Sequence, residues 1–212
     1  MRTATALLLI FLPGAACSAA AEDPAREPGS VRGRVEIAVE GVSLADTGPL
    51  VVYLEAPKGD LEYPIPREIP KISQRNARFA PSFLVVARGQ TVEMPNDDTI
   101  VHNVFSYSKP NDLDLGLYPK GQSRLVTLRH AGVVRVYCSI HESMNATIFV
   151  APSPYYALTD ATGQFQIRGV PRGSYRLRTW NQMLPEASRD VQVRDGGDTR
   201  VDVGIEGTTG SR

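Results

Sequence analysis

Apolar and polar residues alternate with period two through a succession of short segments: Val31 to Val39, Leu50 to Glu55, Ser82 to Ala87, Thr91 to Met94, Val101 to Ser106, Arg124 to Arg129, Val133 to Cys138 and Thr147 to Val150. β-Branched and aromatic residues recur in these runs, as suits strands with one face in a core. Turn formers separate nearly all of them, at Gly89, Pro95-Asn96-Asp97, Lys109-Pro110-Asn111, Pro119-Lys120-Gly121 and Ala131-Gly132. No long segment carries the spacing of an amphipathic helix. The pattern predicts an all-β protein built as a sandwich.

Beyond Pro152-Ser153-Pro154 a second series begins, with a hairpin over Thr159 to Ile167 and a strand over Val170 to Leu177. From Tyr155 to about Glu206 the alternation yields about four strands. That is too little sheet to bury a core by itself, so this stretch requires a partner from elsewhere in the chain.

The N-terminus has a different texture. Met1-Arg2 is followed by an apolar run from Ala4 to Leu12, about half the ~20 residues a membrane span needs. Ala19-Ala20-Ala21 then offers a cleavage point, so residues 1–21 are expected to be a signal peptide and the mature chain to be exported, to a bacterial periplasm or beyond, with no membrane span. Cys17 follows Ala15-Ala16 and provides an alternative, a lipid anchor on that cysteine, although Gly14 stands where such signals usually carry leucine. Across the 212 residues, 23 Lys and Arg balance 23 Asp and Glu. This balance speaks against a nucleic-acid or anionic-membrane partner.

Once the signal is set aside, Cys138 is the sole cysteine. An unpaired thiol in an oxidising compartment calls for a functional explanation. It lies in Tyr137-Cys138-Ser139-Ile140-His141-Glu142-Ser143-Met144, with His102-Asn103-Val104 upstream. Alternation through Val133 to Cys138 puts Val134, Val136 and Cys138 on one inward face. Two residues separate Cys138 from His141, and two separate His141 from Met144, so the three side chains can converge. A thiolate, two imidazoles and a thioether form the donor set of a blue-copper electron-transfer site. His102 and His141 would supply nitrogen, Cys138 the thiolate and Met144 a weak axial sulfur to one type 1 copper ion. Singly, an inward cysteine is more often a small core residue and a methionine a gap filler; it is their joint order with His102 that carries the reading. His130 is expected to be a solvated turn residue, Met94 a core residue, and Trp180 and Met183 packing or interface residues.

The residues from about Phe79 to Val150 resemble a cupredoxin of the plastocyanin and amicyanin group. Pro81, Gly89-Gln90-Thr91-Val92, Pro95-Asn96-Asp97-Asp98 and His102-Asn103-Val104-Phe105 fall in the order of that family, and the spacing of the ligand loop resembles amicyanin. The resemblance implies a Greek-key sandwich, and a hydrogen bond from Asn103 toward Ser139 that pins the ligand loop and supports the copper ligands. Val31-Arg32-Gly33-Arg34-Val35 and Leu50 to Leu54 resemble the opening strands of a carboxypeptidase regulatory-like, transthyretin-like β-sandwich, whose Thr-Asp-x-x-Gly-x-Phe hairpin and Pro-x-Gly-x-Tyr turn match Thr159 to Phe165 and Pro171 to Tyr175. The expected organisation is therefore a discontinuous sandwich, 30–56 and 155–206, interrupted by a linker at 57–70 and a cupredoxin domain at 71–152, with a tail at 207–212. Together the two modules resemble bacterial periplasmic proteins of the methylamine-utilisation or plastocyanin-like type.

The function this implies is single-electron transfer to and from a redox partner such as a c-type cytochrome or a periplasmic oxidoreductase, without substrate chemistry. Copper oxidases and nitrite reductases need additional histidine-rich sites, and only His130 is left over. The two-cysteine loop of a binuclear copper centre is also missing from this sequence. His141 is the expected edge through which electrons pass, and Tyr137 offers a second covalent route or simple packing. Asp112-Leu113-Asp114 would be a solvated acidic loop, or a docking point for a basic cytochrome. The alternative is copper delivery or storage, with the second sandwich as an interaction module.

Overall fold

A computed structural model describes residues 27–56 and 63–207. The expected signal peptide, Cys17, the first part of the linker and nearly all of the tail lie outside the described residues. Among the described residues no helix is long and apolar enough to cross a membrane.

The chain is almost entirely β. Strand β1 (Gly29–Val39) leads through a one-turn helix α1 (Leu44–Thr47) to β2 (Val51–Glu55). A short hairpin of β3 (Ser73–Gln74) and β4 (Phe79–Ala80) precedes β5 (Phe83–Ala87), β6 (Thr91–Pro95) and β7 (His102–Ser106). Then come β8 (Leu113–Tyr118), β9 (Ser123–Thr127), β10 (Gly132–Tyr137) and β11 (Asn145–Ala151). The last third holds β12 (Tyr156–Leu158), β13 (Gln164–Val170), β14 (Gly173–Trp180), β15 (Ser188–Val193), β16 (Asp198–Arg200) and β17 (Val203–Gly207).

The middle of the chain folds into one sandwich. Its main sheet has the order β5-β11-β10-β7-β8, with β5 parallel to β11 and the other pairs antiparallel, while β6 and β9 pair with each other. Val86, Val104, Val134, Val136, Ile148 and Val150 from the sheet meet Val92, Met94 and Val126 from the β6–β9 ribbon in one core. Met94 is fully buried there. Every second residue of β10 faces inward, and the alternation continues to Cys138.

The two ends of the chain build the second sandwich together. One sheet has β1 at its centre: β13 is antiparallel to it, β16 runs parallel beside Ser30–Arg32, and β17 runs parallel beside Val35–Val39. The other has the order β12-β2-β14-β15. Val31, Val35, Leu50, Leu54, Ile167, Leu177, Val203 and Ile205 share its core. Strands β1 and β2 thus find all their partners beyond β11. The stretch after Tyr155 contains six strands rather than about four, because β12 and β16 are three residues each, too short for a period to show.

Gly33 marks where β1 and the chain after β16 come closest. A Cβ there would lie 1.7 Å from the carbonyl oxygen of Val201, a backbone atom held in place because the Val201 N–H donates to the Arg32 carbonyl at 2.9 Å. Gly33→Ala is expected to destabilise the protein by about 3 kcal/mol, the upper end of ordinary overpacking, as measured by urea unfolding.

A third apolar cluster lies between the sandwiches. Val51 and Tyr53 of β2 pack with Val85, Phe149 and Ala151 of β5 and β11, joined by Phe83, Val133, Tyr156 and Trp180. Trp180 stacks on Phe149 at 4.7 Å and on Phe83 at 5.9 Å between ring centroids. The Tyr156 hydroxyl donates to the Val85 carbonyl across the same seam at 3.2 Å. Trp180 is therefore an interface residue. Met183 is 55 % exposed, contrary to the packing role expected of it, because it lies in the turn after β14 and outside the cores.

Candidate metal centre

Three elements converge at one end of the first sandwich. His102 opens β7 and is held in register by Tyr118 of β8. Cys138 follows β10 directly, and the chain then turns back on itself: the Met144 N–H donates to the His141 carbonyl at 3.0 Å, and the Cys138 N–H to the Met144 carbonyl at 3.2 Å. These two bonds close the loop, bring its ends together and launch β11.

The ligand atoms of His102, Cys138 and His141 all lie within 4.8 Å of one another. Cys138 Sγ is 3.8 Å from His102 Nδ1 and 3.9 Å from His141 Nδ1, and the two rings are 4.9 Å apart between centroids. His102 and Met144 are fully buried, Cys138 nearly so, and His141 is part-exposed. Met144 packs in the same core cluster as Cys138.

A metal ion fits this donor set. Imidazole nitrogen and thiolate sulfur bind a first-row ion at about 2.0–2.3 Å, which at tetrahedral to trigonal angles separates the two donors by about 3.6–3.8 Å. The observed separations are close to that. The thiol, moreover, has a single proton to offer two facing ring nitrogens, whereas one cation satisfies all three atoms.

One interaction at these residues was missed by sequence reasoning. His102 Nε2 is 3.0 Å from Asp98 Oδ2. The same carboxylate accepts the Ala77 N–H and the Thr99 N–H, each at 2.7 Å. The Ala77 N–H, then His102, then the Thr99 N–H hold the Asp98 carboxyl well below its ordinary value, at about 2. A depressed carboxylate stabilises the fold fully above its unfolded value near ~4, and that contribution is lost as the pH falls toward about 2. Pro95-Asn96-Asp97-Asp98 reads from sequence only as a turn; the signal that could have been used is an acid four residues before a candidate ligand.

The expected bond from Asn103 toward Ser139 is not formed. Asn103 Nδ2 donates instead to Asp114 Oδ1 at 2.8 Å, and Asn103 Oδ1 is buried without a partner. The reason is β8. Asp112-Leu113-Asp114 is not simply a solvated loop: Leu113 and Asp114 begin an edge strand on β7, with Asp114 opposite Phe105 and a bulge between Asn103 and Phe105, which puts the Asp114 carboxylate within reach of the Asn103 amide. Asp112 remains outside, paired with Lys109. Ser139 is exposed. His130 is exposed in the turn before β10, where its backbone is bracketed by the Asn111 amide. Tyr137 points away from the cluster, 36 % exposed, against Phe105 at 5.9 Å.

Comparison with known proteins gives two separate likenesses. The carboxypeptidase regulatory-like domain family matches residues 142–206, from the ligand loop through β17. No curated protein matches the chain at a significant level. Among solved structures, a purple cupredoxin from Nitrosopumilus maritimus is 21 % identical over 39 % of this chain and 99 % of its own, with a TM-score of 0.35. A reduced amicyanin variant is 19 % identical over 46 % of this chain and 98 % of its own, with a TM-score of 0.37; an oxidised amicyanin variant aligns equally. This chain is thus similar over its C-terminal part to carboxypeptidase regulatory-like domains, and over a segment as long as a whole cupredoxin to solved cupredoxins.

Proposed function

We propose that the chain is an exported type 1 copper protein that carries single electrons between redox partners, its metal held by His102, Cys138, His141 and Met144. The observation that carries this reading is the meeting of Cys138 Sγ with two imidazole Nδ1 atoms, that of His141 from the same loop and that of His102 from a remote strand, at 3.9 and 3.8 Å, with Cys138 and His102 buried. Bound copper would supply a cupric/cuprous couple. The protein's part is to keep the donors where they are in both states. Strands β7 and β10 fix His102 and Cys138 from behind, and the two backbone bonds of the ligand loop fix His141 and Met144. With little to rearrange, little reorganisation opposes electron transfer.

His141 is the one member of the cluster that reaches solvent. Beside the two histidines in sequence, Ile140, Ile100 and Val101 are 48 %, 45 % and 46 % exposed. An apolar rim with a single ligand edge suits brief docking of another redox protein, such as a c-type cytochrome or a periplasmic oxidoreductase. Copper delivery, the competing idea, would call for an open site with spare ligands; three of the four side chains here are buried.

The test is a titration of the metal-free protein with Cu(II), followed by visible spectroscopy and voltammetry. One equivalent should produce intense visible absorption from thiolate-to-copper charge transfer and a reversible one-electron wave. Binding with neither feature, together with ready loss of copper to a chelator, would overturn electron transfer in favour of delivery.

A further inference from the structure

We infer that Asp98, gripped by the turn between β3 and β4, is a positioning residue for this centre: it holds His102 as the tautomer protonated on Nε2, so that an unprotonated Nδ1 is presented beside Cys138. The inference deepens the copper reading and rests on it for the identity of the ion.

The geometry leaves the carboxylate little freedom. Oδ2 receives both His102 Nε2 and the Ala77 N–H, and Oδ1 receives the Thr99 N–H. The Asp98 N–H itself donates to Asn96 Oδ1 at 2.9 Å, and Asn96 Nδ2 is tied to the carbonyls of Ile100 and Tyr118, each at 2.9 Å. A carboxylate can only accept, so the imidazole nitrogen facing it must carry the proton. In a neutral ring the other nitrogen is then bare, and it is the one 3.8 Å from Cys138 Sγ.

The turn is built for this contact at a conformational cost. Asn76 and Ala77 both have positive φ, 52° and 49°, and Arg75 and Arg78 exchange backbone bonds around them. This is the two-residue hairpin turn that normally calls for Asn-Gly. Asn76 suits its place; alanine does not suit the second. The conformation aims the Ala77 N–H at Asp98 Oδ2, from a hairpin far from His102 and Cys138 in sequence. A buried carboxylate behind a ligating imidazole fixes its orientation and raises its basicity, which favours the cupric state.

Long-range ¹H–¹⁵N NMR of the full-length, metal-free protein reads the tautomer directly and needs no copper. His102 should carry its proton on Nε2 in the wild type and in Asp98→Asn, which retains an oxygen acceptor, and should lose that fixed tautomer in Asp98→Ala. Ala77→Gly, which keeps the N–H and relieves the turn, should leave the tautomer unchanged. With copper, Asp98→Ala should bind Cu(II) about 10–100-fold more weakly. Asp98→Asn, which removes the charge and gives up the bond from the Thr99 N–H while keeping an oxygen toward His102, should lower the Cu(II)-over-Cu(I) preference about tenfold, a rise of about 59 mV in potential. Protonation on Nδ1 in the wild type, or an unchanged potential in Asp98→Asn, overturns the assignment, and Asp98→Asn carries the test should Asp98→Ala fail to fold. A wild-type protein with the Nε2 proton but no visible band would sink the electron-carrier reading alone.

Discussion

Replacing Cys138 with alanine is expected to abolish the visible absorption of the copper-treated protein and, with it, the reversible redox wave. The sulfur is the one donor that both histidines face, and its loss removes the charge-transfer partner itself. The loss in Cu(II) affinity should exceed the ~10–100-fold that an outer partner costs. Stability gives an independent readout. Wild-type protein in copper at a thousandfold excess over the dissociation constant should gain about 4 kcal/mol by linkage, whereas the Cys138→Ala protein should gain less than about 1.4 kcal/mol, the figure a 100-fold loss of affinity would leave. Equal copper-dependent shifts in thermal midpoint for the two proteins would show that the metal binds elsewhere.

Trp180→Ala is expected to be the most damaging substitution in the seam between the two sandwiches. Trp180 stacks on Phe149 and Phe83, the two phenylalanines of the seam cluster among the described residues, and large aromatic-to-alanine changes cost about 3–5 kcal/mol. The part exposure of Trp180 places it toward the lower figure, about 3 kcal/mol, of which roughly 1 kcal/mol belongs to the ring pairs. The form of unfolding should change as well. With the seam intact, urea should unfold both sandwiches in one transition; with it cut, two transitions should separate, one shifted by copper and one not. A single transition of undiminished midpoint would mean that the seam contributes nothing to the coupling.

The all-β character and the inward face of β10 were legible in the sequence because alternation is a local signal, and Val134, Val136 and Cys138 display it without interruption. Local order also told which side chains could gather, since Cys138, His141 and Met144 share one loop. What was not legible depends on contacts made at long range. Asp98 looks like any turn acid until β7 folds over it and the Ala77 N–H arrives from another hairpin. Strand β8 alternates through Leu113, Leu115 and Leu117, but aspartate and a positive-φ glycine interrupt it, and only its edge pairing with β7 makes it a strand. That pairing also redirected Asn103 from Ser139 to Asp114. Trp180 could be called a packing residue from its type alone; that it joins two sandwiches could not.

Strand β11 begins where the ligand loop ends and finishes where the second sandwich is attached. Its seven residues, at about 3.3 Å each, set the covalent junction some 20 Å back from the cluster. Both faces of this strut are sealed, Ile148 and Val150 in one core and Phe149 and Ala151 in another. The second sandwich is therefore carried on a stiff arm, and its junction stays clear of the end at which His102, Cys138 and His141 meet.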